Sequence, residues 1–132
     1  VKESRERVAA AIKNSSYVYP NKRITINLAP ADIKKEGSHY DLPIAVAYLQ
    51  AIGCIKRSLS DFVFLGELSL DGSIKQVRHI IFLVDLAKRL GFKNIIIPEQ
   101  NISEARLVEG INIIGFDKLK NLVEFLSQKN NI

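Results

Sequence analysis

The chain has no methionine and no tryptophan, and only one cysteine, Cys54. A single cysteine excludes an internal disulfide framework and fits a reducing compartment. Long apolar runs are missing as well: none approaches the roughly 20 residues that span a bilayer. No charged segment followed by an apolar one marks a signal peptide. The expected setting is the cytoplasm, without a membrane partner. A chain that starts at Val1 and holds no methionine is expected to be a fragment of a larger protein, with function that depends in part on segments outside it.

Glycine is sparse and poorly placed for phosphate binding. The seven glycines stand at 37, 53, 66, 72, 91, 110 and 115. None builds GxxxxGK[ST] or GxGxxG, the loops whose backbone N–H groups cradle phosphates. The chain is therefore not expected to bind or hydrolyse ATP by itself. Metal ligands are equally thin. His39, Cys54 and His79 lie far apart, with no CxxC or HxxxH spacing, so no metal site and no cofactor are expected in this chain.

What is present suits one compact domain over residues 1–132, with 47% hydrophobic and 25% charged residues. The net charge of +5 is unevenly spread. Residues 1–35 hold eight cations against three acids, a balance of +5, and residues 36–132 hold eleven of each sign. Such asymmetry marks either a polyanion-binding face or a solvated helix with a basic turn. Lys22, Arg23, Lys34 and Lys35 are the best DNA-binding candidates.

Helical and strand periods alternate along the chain. Lys2–Asn14 reads as a helix, Arg23–Leu28 as a half-buried strand, and Leu42–Ile52 as a helix apolar nearly all round. Asp41 is placed to cap that helix and Gly53 to stop it. Phe62–Leu65 reads as a strand. Asp71-Gly72 between Leu68 and Ile74 predicts a two-residue hairpin turn. Ile80–Leu90 reads as a second apolar helix ending at Gly91, and Ile95–Ile97 as a central strand closed by Pro98. A short helix over Ser103–Val108, a strand over Ile111–Gly115 and a helix capped by Asp117 follow. Residues 127–132 are expected to fray. The fold class is α/β (α+β), a mixed sheet packed with helices.

Residues 34–43, KKEGSHYDLP, place Ser38, His39 and Asp41 within four positions. A working triad needs the base nitrogen about 3 Å from the nucleophile, and adjacent side chains diverge. The capping role also accounts for Asp41. A thiol dyad of Cys54 with His39 or His79 competes with simple core packing of the cysteine, which is among the most buried residue types.

Four stretches in order, VKESRERVAAAIKNS, PNKRITINLAPADIKKEGSHYDLPIA, FLGELSLDGSIKQV and GFKNIIIPEQN, resemble the N-terminal domain of magnesium-chelatase-like AAA+ proteins, the competence-associated ComM/YifB group. The resemblance covers essentially the whole chain. It implies a fold like the proteolytic domain of Lon, within the ribosomal protein S5 domain 2-like group. The Lon-like domain of the RadA/Sms recombination protein is a further relative. Lon proteases keep a serine in a Gly-Pro-Ser-Ala-Gly stretch and a lysine after a Gly-Glu-x-Thr/Ser-Leu-x-Gly stretch. Laid on this chain, Gly37 matches the first glycine, His39 falls on the nucleophile, and Ile81 falls on the lysine. A one-residue slip puts Ser38 in the serine place, and the lysine is still missing.

The resemblance thus implies an accessory domain without catalytic residues, a protease-like scaffold with degenerate positions His39 and Ile81. Its expected partners are an AAA+ module of the same chain, further copies in a homo-oligomer (a hexamer) and DNA. ATP and Mg2+ are expected only for the ATPase module. Expected roles are natural transformation, recombination and branch migration. The competing reading is a residual serine peptidase or amidase using Ser38 or His39. Metal chelation is a third reading, suggested by the family name alone.

Overall fold

The computed structural model describes residues 2–17 and 38–127. The expected strand over Arg23–Leu28 and residues 128–132 of the expected tail lie outside those residues. The elements run α1 (Lys2–Asn14), a 3-10 turn (Ser38–Tyr40), α2 (Asp41–Ala51), β1 (Phe62–Phe64), β2 (Glu67–Leu68), β3 (Ile74–Lys75), α3 (Ile80–Arg89), β4 (Asn94–Pro98), a 3-10 turn (Glu99–Asn101), α4 (Ile102–Ala105), β5 (Asn112–Phe116) and α5 (Leu119–Ser127). A three-stranded sheet is parallel, in the order β1-β4-β5. A separate antiparallel pair, β2 and β3, makes the sheet content mixed.

The centre of the parallel sheet is β4. Successive strand residues face opposite ways, and Ile95, Ile96 and Ile97 are each fully buried. Ile96 joins one core with Val8, Ile12, Leu42, Leu49, Leu119 and Leu126, from α1, α2 and α5. Ile95 and Ile97 join a second core with Ile80, Val84, Ala87 and Ala105, from α3 and α4. Helices therefore cover both faces of the sheet, which explains the unbroken apolar run in β4. Burying each isoleucine side chain contributes about 1.5–3 kcal/mol.

Three helices end in the same way. After α2, Gly53 takes φ +88°, with Cys54 N bonding Leu49 O at 2.9 Å and Gly53 N bonding Gln50 O at 3.2 Å. After α3, Gly91 takes φ +94°, with Phe92 N on Ala87 O and Gly91 N on Lys88 O. These are Schellman motifs, which satisfy the last carbonyls of a helix. At the end of α1 the left-handed place is held by Ser16, φ 71°, with Tyr17 N on Ile12 O and Ser16 N on Lys13 O.

Three expectations need correction. The hairpin after β2 does not use a two-residue turn. Ser69 N bonds Ser73 O at 2.9 Å and Gly72 N bonds Ser69 O at 3.0 Å, and Gly72 has φ +93°. That is a three-residue loop in which glycine takes the left-handed bulge position and Asp71 does not. Helix α3 is amphipathic rather than apolar throughout: Ile80, Val84 and Ala87 are buried, whereas Ile81 and Phe82 are exposed. The short helix expected over Ser103–Val108 covers Ile102–Ala105, entered through the turn at Glu99–Asn101.

Candidate functional site

The residues of KKEGSHYDLP that the structure describes begin at Ser38, of whose side chain nothing is described. The backbone makes one 3-10 turn over Ser38–Tyr40 and passes straight into α2. Leu42, Ala45, Val46 and Leu49 bury the helix and fix its direction. Pro43 stands in the first turn, where its missing N–H is no loss. The loop is clamped to the segment after β1: Gly66 N donates to His39 O and Leu42 N donates to Gly66 O, both at 3.0 Å.

Asp41 is not the cap of α2. Tyr40 holds the cap position, with no side-chain capping bond, and Asp41 is the first helical residue. Its side chain is fully buried. The carboxylate accepts from Arg7 Nε at 2.6 Å, from Arg7 Nη2 at 3.0 Å and from the Leu68 backbone N–H at 3.0 Å. One side chain thereby ties α1, α2 and β2 together. A charge taken out of water requires this kind of company. Sequence reasoning missed the pairing because Arg7 lies 34 positions upstream. The signal was an acid set in an apolar helix start, opposite an arginine on a helix with one apolar face.

His39 packs its ring 4.2 Å from the Tyr40 ring, tilted by 39°. Burial lowers its pKa below the ordinary 6.5, and the nearby Asp41 carboxylate opposes that shift. The Asp41 carboxylate is turned to the Arg7 guanidinium and the Leu68 N–H.

Ile81 lies in the first turn of α3, 38% exposed. It lines an open groove of about 750 Å³ with His79, Phe82, Asp85, Lys88, Leu107, Val108 and Glu109. No residue of the 38–41 loop lines that groove. The alkyl side chain of Ile81 has no site for a proton. His79 precedes it in a left-handed conformation, φ 61°.

Cys54 is half-buried against the larger core. Its neighbours include Tyr17, whose pKa is raised first by burial, then by the charges of Glu124 and Cys54. Among the described residues no group of three or more His, Cys, Asp or Glu side chains could hold a metal ion. No helix among them is long and apolar enough to cross a membrane. Lys22, Arg23, Lys34 and Lys35 lie outside the described residues.

A buried polar residue that sequence reasoning overlooked is Asn101. Its Oδ1 accepts from Val77 N at 2.8 Å and its Nδ2 donates to Val77 O at 3.0 Å. The amide pins the segment between β3 and α3 to the turn before α4.

Comparison with known proteins decides the family. The description "Subunit ChlI of Mg-chelatase" matches residues 1–101. The chain belongs to this magnesium-chelatase ChlI-like family. It is 41% identical over its whole length to competence protein ComM of Haemophilus influenzae, covering 26% of that protein. It is 44% identical over 98% of its length to the uncharacterised protein YifB of Escherichia coli, again covering 26%. The archaeal Lon protease of Methanocaldococcus jannaschii is 31% identical over 84% of the chain and 17% of that protease. The chain thus spans about a quarter of the length of the ComM and YifB relatives it matches.

Proposed function

We propose that this chain is a non-catalytic accessory domain of a magnesium-chelatase-like AAA+ ATPase that processes DNA, acting through ring assembly or DNA contact. The observation that carries the proposal is a pairing of likeness and loss. The chain is similar throughout to ComM, a competence protein by name, and in part to a Lon protease. At the two positions where Lon proteases keep their serine and lysine, the resemblance puts His39 and Ile81. Asp41, the acid of the same loop, is spent on a buried ion pair.

ATP and Mg2+ belong to the ATPase module in this reading. The glycines of this chain match neither GxxxxGK[ST] nor GxGxxG. The module of the same polypeptide and further copies in a hexameric ring are its partners, in the cytoplasm. Lys22, Arg23, Lys34 and Lys35 are the first DNA-contacting candidates. Phosphate neutralisation makes such binding salt-dependent and nearly sequence-independent.

Mobility shifts of duplex and branched DNA at low and moderate salt test the DNA role. A shift at low salt that fades at moderate salt supports it. No shift at either salt, with this chain and with the assembled protein, sinks it.

A further inference from the structure

The balanced charge of residues 36–132 hides a polarity along the parallel sheet. β1, β4 and β5 start side by side, since Phe62 pairs with Asn94 and Asn94 with Asn112. Lys93 stands directly before β4 and is exposed. Arg57 precedes β1 and lies over the Phe62 ring, its guanidinium carbon 5.2 Å from the ring centre. Lys56 beside it is exposed. Lys88 crosses from the end of α3 to the approach of β5, where a side chain at Gly110 would meet its Cε at 2.8 Å.

With Arg89, this rim holds five cations against Asp61, Asp85 and Glu109, a balance of +2. Asp85 is already engaged by Arg89 at 3.0 Å. At the opposite end each parallel strand is followed by an acid, Glu67, Glu99 or Asp117, with Lys75 paired opposite Glu67 and Lys118 beside Asp117. Lys88 and Arg89 also complement the negative end of α3. Lys56 and Lys93 lie outside that helix and have no such duty.

We infer that this amino-end rim, Lys56, Arg57, Lys88 and Lys93, is a second contact surface for the phosphate backbone of nucleic acid. The three strand starts span about 10 Å at ordinary strand spacing, the scale of a few phosphates at roughly 3.4 Å of rise each. A guanidinium such as that of Arg57 suits phosphate oxygens, which it can engage bidentately. The inference rests on the DNA-processing role proposed above and names a surface for it apart from Lys22, Arg23, Lys34 and Lys35.

The test compares binding of a fluorescent 30-base-pair duplex across a salt series. Four proteins are used: the unaltered chain and the variants K56Q/K88Q/K93Q, K22Q/R23Q/K34Q/K35Q and K56R/K88R/K93R. Thermal melts confirm folding, and K56R/K88R/K93R keeps the charge. The rim variant is expected to bind about ten-fold more weakly at low salt, with a salt slope reduced by up to about 2.7, near 0.9 per lost phosphate contact. The arginine variant is expected to bind like the unaltered chain. Unaltered binding by the glutamine rim variant, with loss only in the other variant, overturns the rim and leaves the DNA role standing. No binding by the unaltered chain overturns the rim, and the DNA role falls with it only if the assembled protein also fails to bind. Tighter binding of poly-glutamate than of DNA, removed by the rim substitutions, overturns nucleic acid as the occupant.

Discussion

The guanidinium of Arg7 forks onto the carboxylate of Asp41, Nε to Oδ2 at 2.6 Å and Nη2 to Oδ1 at 3.0 Å. The pair joins the first helix to the start of the second. Removing one partner leaves the other's charge unpaired, which costs more than the intact pair contributes. Arg7→Met is expected to destabilise the chain by about 3 kcal/mol, lowering the melting temperature by roughly 10 °C. Arg7→Met combined with Asp41→Asn is expected to recover part of that loss. Thermal melts of the two singles and the double measure the coupling.

Ser16 holds a left-handed position where the two later helices use glycine. Its side chain is exposed, so the backbone term dominates. A non-glycine residue there costs about 1 kcal/mol. Ser16→Gly is expected to stabilise by up to about 1 kcal/mol, and Gly53→Ala to destabilise by a similar amount. Space is not the issue at Gly53, where an added Cβ meets nothing within 4 Å. Chemical denaturation midpoints check both signs.

Asn101→Ala strips both partners from the Val77 backbone in a buried setting. Loss of about 2 kcal/mol is expected from the unsatisfied N–H and C=O. Hydrogen exchange should speed up most at Val77, because its amide loses its acceptor.

Burial lowers the His39 pKa below 6.5 in the folded chain. The unfolded chain therefore binds more protons than the folded one just below pH 6.5. Stability is full above that value and falls as pH drops towards the folded pKa. His39→Gln is expected to flatten this part of the profile. Melting temperatures from pH 5 to 7.5, for both proteins, give the comparison.

Much of the fold was legible because its signals are local. The isoleucine run of β4, the apolar spacing of α5 and the glycines after α2 and α3 each depend on a few neighbours in sequence. The misread features depend on distant ones. Asp41 looks like a cap until Arg7, 34 residues away, claims its carboxylate. Asn101 looks like a loop residue until Val77 arrives beside it. The hairpin was found, but its turn was assigned from Asp71-Gly72 alone, whereas the bond between Ser69 and Ser73 sets the loop length. Ile81 was read as part of an apolar helix, and the structure turns it to a groove. That an isoleucine offers no site for a proton is chemistry that can be read from the sequence. The groove around it depends on where α3 and the chain after α4 pack.

In the function proposed above, the loop at Ser38–Asp41 no longer does chemistry. Incubation with casein and with a serine-reactive activity probe, beside Ser38→Ala and His39→Ala, tests it most directly. The expected result is no cleavage and no labelling above a protein-free blank, with all three proteins alike. Turnover by the unaltered chain that either substitution abolishes would contradict it and make this a working peptidase.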